Sequence, residues 1–278
     1  MRSNLVSTDW LANNLSRSDV VVLDASWYTP DRDRDPVAEY RAAHIPGAVR
    51  FDIDAISDHS SSLPHTLASP ETFAAAVGKL GVSDDMTVVV YDGAGMFSAA
   101  RVWWNFRVMG LKDVFVLDGG FPKWQAEGRP TEAGEVTRGP RHFSTRFDAG
   151  AVAHIDDVRQ ALDDGLAQVV DARSGTRYRG EEEEPRPGVQ PGHMPGSHNV
   201  HYSSVLTDGQ LKDAKALEEV FSKNGVELDG PILTTCGSGV TAAILALAVE
   251  ESGRPLPRLY DGSWAEWGSR SDTPKAKG

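Results

Sequence analysis

The chain has 278 residues, 40% hydrophobic and 24% charged, with a formal net charge of -12. That length favours two domains, and the acidic excess argues against nucleic acid or anionic membrane as a general partner. The single cysteine excludes an internal disulfide and a zinc site built from several thiolates.

The N-terminal MRSNLVSTDWLANNL has no apolar stretch of the secretory kind, and the longest apolar run, 242–249, is too short to span a bilayer. A cytoplasmic protein is expected. In chain order, VVVLDAS at 20–26 and AAHIPGAVRFD at 42–52 come first. Ser69-Pro70-Glu71 then opens a helix, with Ser as N-cap, Pro in the first turn and an acid near the positive dipole end. It runs through Phe73–Val77 and stops at Gly78 or Gly81. Val88–Tyr91 is continuous and β-branched, the pattern of a strand buried on both faces. A helix is expected over Phe97–Met109, ending at Gly110. Residues 134–150 are polar, contain Gly and Pro, and show no sustained period, which marks a linker. In the second half Ala216–Lys223 and Thr241–Glu251 read as helices, and Ile232–Thr235 as a strand.

The two halves repeat each other. Asp24 and Asp171 are 147 apart, His44 and His193 149, Asp92 and Cys236 144, and Trp124 and Trp267 143. Four motifs in one order at nearly constant spacing mean two copies of one domain, 1–133 and 151–278, joined by 134–150. Strands alternating with helices place each copy in the α/β class, with a mainly parallel sheet flanked by helices.

Cys236 falls where the strand 232–235 gives way to the helix from Thr241, in the turn CGSGVT. Ligands gather at the carboxyl ends of strands in open α/β sheets. Gly237 and Gly239 allow the backbone to curl so that successive N–H groups point inward, and the helix adds its positive dipole end. Both favour a thiolate over a thiol. The thiol is therefore expected to lie exposed in a cradle of amides. The first copy has Asp92 at this position, in YDGAGMFS, and is expected to be chemically silent, because a carboxylate cannot act as a sulfur nucleophile.

With HIPGA and HMPGS, a nucleophile loop in the second copy, and DGG or DGS followed by Trp, the chain resembles the two-domain rhodanese-like sulfurtransferases from about Val20 to Trp267. The loop CGSGVT resembles that of the 3-mercaptopyruvate branch; thiosulfate-preferring members carry basic residues where Gly237 and Ser238 stand here. The resemblance implies that Cys236 is the nucleophile, loaded as a persulfide, and that Ser238 assists proton movement. In FDIDAISDHSSSLPHTL it places Asp54 and His65 facing the cysteine loop, so that the silent copy contributes to the active site. In DARSGTRYRGEEEEPRPG it assigns the donor carboxylate to Arg177 and Arg186, and the loop residues Gly237, Gly239, Val240 and Thr241 bind substrate. Chemistry asks for the same groups: a guanidinium fork matches a carboxylate, and a departing enolate needs a proton.

Without the resemblance, His65 is a packed loop histidine, Asp54 a turn cap, and Arg177 and Arg186 surface charges pairing with Glu181–Glu184, themselves a solvated loop. His44 and His193 read as structural, and Trp103, Trp104, Trp124, Trp264 and Trp267 as core or domain-interface residues. The function expected is transfer of sulfur from a small-molecule donor, 3-mercaptopyruvate, to a thiol acceptor such as thioredoxin or a low-molecular-weight thiol, with no nucleic-acid or membrane partner. Thiosulfate is the alternative donor. A Cys-dependent phosphatase fits poorly, because the clamping Arg position is Ala242; a sulfur carrier or redox sensor is the non-enzymatic alternative. No metal or organic cofactor is implied, and DGAGMFS lacks the Lys of a phosphate-binding loop.

Overall fold

Val20–Asp24 and Thr87–Tyr91 are almost wholly β-branched and aromatic, and both are strands whose residues are buried nearly throughout. The structure, a computed structural model, describes residues 2–278. It divides into two units. One comprises the chain to Asp58, Leu67–Asp148 and Asp208–Leu211; the other comprises His59–Thr66, Ala149–Thr207 and Lys212–Gly278.

The first unit runs β1 (Leu5–Val6), α1 (Thr8–Asn14), β2 (Val20–Asp24), α2 (Pro36–Ala42), β3 (Val49–Arg50), α3 (Pro70–Lys79), β4 (Thr87–Tyr91), α4 (Ala99–Val108), β5 (Val114–Leu117) and α5 (Gly120–Ala126). The second repeats the scheme with β6 (Val152–Ala153), α6 (Ile155–Asp164), β7 (Gln168–Asp171), α7 (Gly175–Arg179) and β8 (His198–Asn199). It continues through the short strands β9 (Leu206–Thr207) and β10 (Gln210–Leu211), then α8 (Ala214–Lys223), β11 (Ile232–Thr235), α9 (Ala242–Glu251), β12 (Arg258–Tyr260) and α10 (Ser263–Trp267). Among the described residues the main sheets are ordered β1-β5-β4-β2-β3 and β6-β12-β11-β7-β8. Every neighbouring pair in them is parallel. The central strands β4 and β11 end at Tyr91 and Thr235, so Asp92 and Cys236 occupy the same topological place.

The repeat extends to individual hydrogen bonds. His44 Nδ1 lies 2.8 Å from Tyr40 O and His193 Nδ1 2.9 Å from Tyr178 O, each ring stacked on that tyrosine. Trp124 and Trp267 each donate from Nε1 to a proline carbonyl, Pro130 and Pro274, at 2.8 Å. These histidines are structural and the five tryptophans named above are buried, as their sequence settings suggest.

Helix limits follow local chemistry. Ser69 Oγ accepts from Thr72 N, and α3 ends at Lys79. Helix α8 begins two residues before the expected Ala216, because Asp213 caps it by accepting from Ala216 N at 2.9 Å. Helix α4 begins at Ala99 rather than Phe97, since the amides of Phe97, Ser98 and Ala99 all donate to Asp92. Segment 134–150 is irregular, but its residues to Asp148 belong to the first unit. Arg141 N, Arg146 N and Asp148 N donate to Gly78 O, Met109 O and Val108 O, and Phe143 is buried against Phe73 and Phe106.

Candidate active site

The two equivalent loops differ in what fills them. In the first, Asp92 Oδ1 accepts from Ala94 N at 2.8 Å, and Oδ2 accepts from Phe97 N, Ser98 N and Ala99 N at 2.7–2.8 Å. One carboxylate therefore satisfies four amides, so this loop is an anion nest with its anion built in. In the second, Cys236 replaces that carboxylate. The amides of Gly237, Ser238 and Val240 have no hydrogen-bond partner among the described residues, although Ser238 and Val240 are buried. Buried amides without partners are rare in folded proteins, and an anion at this point satisfies them.

Cys236 is 2% exposed, which corrects the expectation of an exposed thiol. Helix α10 draws the strand end inward: Trp264 N and Ala265 N donate to the carbonyls of Cys236 and Gly237, both at 2.9 Å. Cys236 N donates to Ser263 Oγ at 3.4 Å, and that hydroxyl donates to Tyr260 O at 2.9 Å. Ser263 has φ 50°, a strained value for a residue with a side chain. Its counterpart in the first copy is Gly120 at φ 55°, where a Cβ would meet Asp92 O at 2.6 Å. The change from DGG to DGS was the sequence signal for this residue, and sequence reasoning did not use it.

The acidic run beside α7 is not uniformly solvated, and here the sequence reading is corrected. The Glu184 side chain is 3% exposed, whereas that of Glu181 is 50% exposed and pairs with Arg179. Glu184 accepts from Arg173 Nη1 at 2.8 Å and from Arg177 Nε at 3.3 Å, with a further short bond from Arg177 Nη2. Arg173 is equally buried and holds Asp171 through Nε and Nη2 at 2.7–3.2 Å. Neither Arg173 nor Glu184 was singled out from sequence, because neither burial nor pairing is visible in a charge run.

Arg177 thus pairs with one of the four glutamates, as the plain reading of the charges allowed, yet it also reaches the loop. Its Nη2 and Nη1 lie 3.1 and 3.7 Å from where a Cβ on Gly237 would sit. Arg186 Nη2 lies 3.4 Å from His65 Nε2. A guanidinium only donates, so Nε2 faces it as an acceptor. His65 is buried at φ 59°, a second strained residue. The second unit therefore contains Cys236, Ser238, Gly239, Val240, Thr241, His65, Arg177 and Arg186, with the segment 59–66 counted in it. Asp54 belongs to the first unit, where Oδ2 accepts from Trp27 Nε1 at 3.1 Å.

Among the described residues no group of three or more His, Cys, Asp or Glu is arranged to hold a metal ion, and no helix is long and apolar enough to cross a membrane. A pocket of about 790 Å³ opens at the amino ends of β11 and β12, the opposite end from Cys236, and contains none of the predicted site residues.

Comparison with known proteins agrees with this geometry. The rhodanese-like domain matches residues 7–127 and again 154–270. The 3-mercaptopyruvate sulfurtransferase of Escherichia coli K12 is 43% identical over 270 residues, covering 97% of this chain and 96% of that protein. Thiosulfate/3-mercaptopyruvate sulfurtransferase 1 of Arabidopsis thaliana, a mitochondrial protein, is 43% identical over 97% of this chain and 77% of its own length. The crystal structure of SseA from Escherichia coli matches with a TM-score of 0.87 and 40% identity, covering 95% of this chain and 99% of that one.

Proposed function

Since the chain belongs to the rhodanese-like domain family, we propose that it is an enzyme moving sulfur from 3-mercaptopyruvate to a thiol acceptor through a persulfide on Cys236. The observation that carries this reading is the pair of equivalent loops. Where the first is filled by the Asp92 carboxylate, the second offers unpartnered amides around a cysteine. Such a loop favours negative charge on the cysteine sulfur and then on a second sulfur attached to it.

The thiolate of Cys236 attacks the donor sulfur. A sulfur–sulfur bond forms, the carbon–sulfur bond breaks, and its electron pair leaves with the enolate of pyruvate. The proton of the donor thiol ends on the methyl carbon, leaving an anionic persulfide. Ser238 and His65 are assigned the movement of that proton, and Arg177 and Arg186 the donor carboxylate, assisted by the loop residues Gly237, Gly239, Val240 and Thr241. The resemblance adds Asp54, a residue of the first unit, to the catalytic set. An acceptor thiol, small or on a protein such as thioredoxin, then attacks the outer sulfur.

The neutral pair Gly237 and Ser238 supports 3-mercaptopyruvate over the thiosulfate dianion, for which a Lys or Arg would be favoured. Intact mass after exposure to 3-mercaptopyruvate tests the reading. A gain of about 32 Da is expected, one sulfur atom, reversed by thiol and absent in Cys236→Ser. No gain, or a gain that survives in Cys236→Ser, refutes it. Higher efficiency with thiosulfate overturns the choice of donor alone.

A further inference from the structure

We infer that Glu184 is a positioning residue: it grips Arg177 by one edge so that the other edge meets the donor carboxylate, a role that rests on Arg177 being a donor-binding group. A nearly fully buried carboxylate has to be paired, and Glu184 sits between two guanidiniums. The result is a chain of alternating charge, Asp171–Arg173–Glu184–Arg177, that starts at the end of β7 and finishes on α7. Arg173 lies 4.3 Å over the ring of Trp264, whose amide donates to the Cys236 carbonyl. The same chain therefore ties Arg177 to the element that fixes the nucleophile.

A guanidinium has five N–H donors arranged along flat edges. Glu184 engages Nε and one N–H of Nη2. The Nη1–Nη2 edge is directed toward Gly237, and Nη1 has no partner among the described residues. That edge suits a second carboxylate, bound in bidentate fashion. An arginine side chain left without such a clamp would have to be ordered by the donor itself, weakening binding. The effect of losing Glu184 therefore falls on donor affinity and not on sulfur transfer.

Single-turnover persulfide loading, measured across 3-mercaptopyruvate concentrations, provides the test. In E184Q the half-saturating concentration is expected to rise about tenfold, with the maximal rate within about threefold of the unmodified protein. E184D, which keeps the charge on a shorter arm, should fall between them. R177A alone should also weaken half-saturation, and E184Q/R177A should be no weaker than R177A. A folded E184Q with unchanged half-saturation overturns the inference, as does a loss confined to the maximal rate or one that adds in full to that of R177A. Thermal unfolding monitors folding; if E184Q does not fold, E184D is judged on the same criteria. Unchanged half-saturation in R177A overturns the assignment of Arg177 and the role of Glu184 with it.

Discussion

Burial holds the imidazole of His201 below the ordinary histidine range. Its Nδ1 lies 2.7 Å from Ser203 Oγ, and its ring meets Tyr202 edge-on at 4.7 Å. The folded chain therefore resists a proton that the unfolded chain accepts near pH 6.5. Its contribution to stability is complete above that pH and is lost as the pH falls through the lower folded value. His201→Gln should flatten the pH dependence of the unfolding free energy below about 6.5, as measured by urea denaturation at a series of pH values. A slope unchanged in the variant assigns the effect to other groups. At the same scale, Ser263 and His65 hold positive φ angles that only their surroundings enforce, and both lie in the second unit with Cys236.

The loop between a central strand and its helix is the element that separates the two copies. Asp92 is an internal ligand for its loop, and Cys236 is not. Asp92→Ala should leave four amides, those of Ser98 and Ala99 buried, without their acceptor and cost about 3 kcal/mol of stability by urea denaturation, with Asp92→Asn losing less. Persulfide loading per folded molecule should be unchanged, because this carboxylate belongs to the copy that has no cysteine. A loss below about 0.5 kcal/mol in Asp92→Ala would mean that water replaces the carboxylate and that the loop is not a committed anion nest. The same carboxylate explains why α4 starts two residues later than the helical pattern suggests: amides serving Asp92 are those of a helix's first turn.

For the molecule as a whole, the unexpected feature is how far the chain departs from a plain division into two sequence halves. Segment 134–150 reads as a linker, yet Phe143 fills a cluster with Phe73 and Phe106. Phe143→Ala should cost about 3–5 kcal/mol of stability while leaving the 32 Da sulfur gain on Cys236 intact in the folded fraction. Wild-type stability in the variant would make the segment a true tether. Likewise residues 59–66, which precede α3 in the first half, count with the second unit and bring His65 to Arg186. The residues of SSSLPHTL do not by themselves announce this, because the partner is 121 residues away; the family resemblance is what set His65 beside the cysteine loop.

The sequence by itself determined the two-copy α/β architecture, the central strands Val88–Tyr91 and Ile232–Thr235 with the helices that follow them, and the place of Cys236. Repeats, β-branched runs and caps are local signals, and the motif loop is contiguous. Only the tertiary structure decided that the thiol is buried, that Glu184 is drawn out of an acidic run to clamp Arg177, and that Ser263 lies against the cysteine amide. Those facts depend on which groups long-range folding removes from water, and a buried charge looks like an exposed one until its partner is in place.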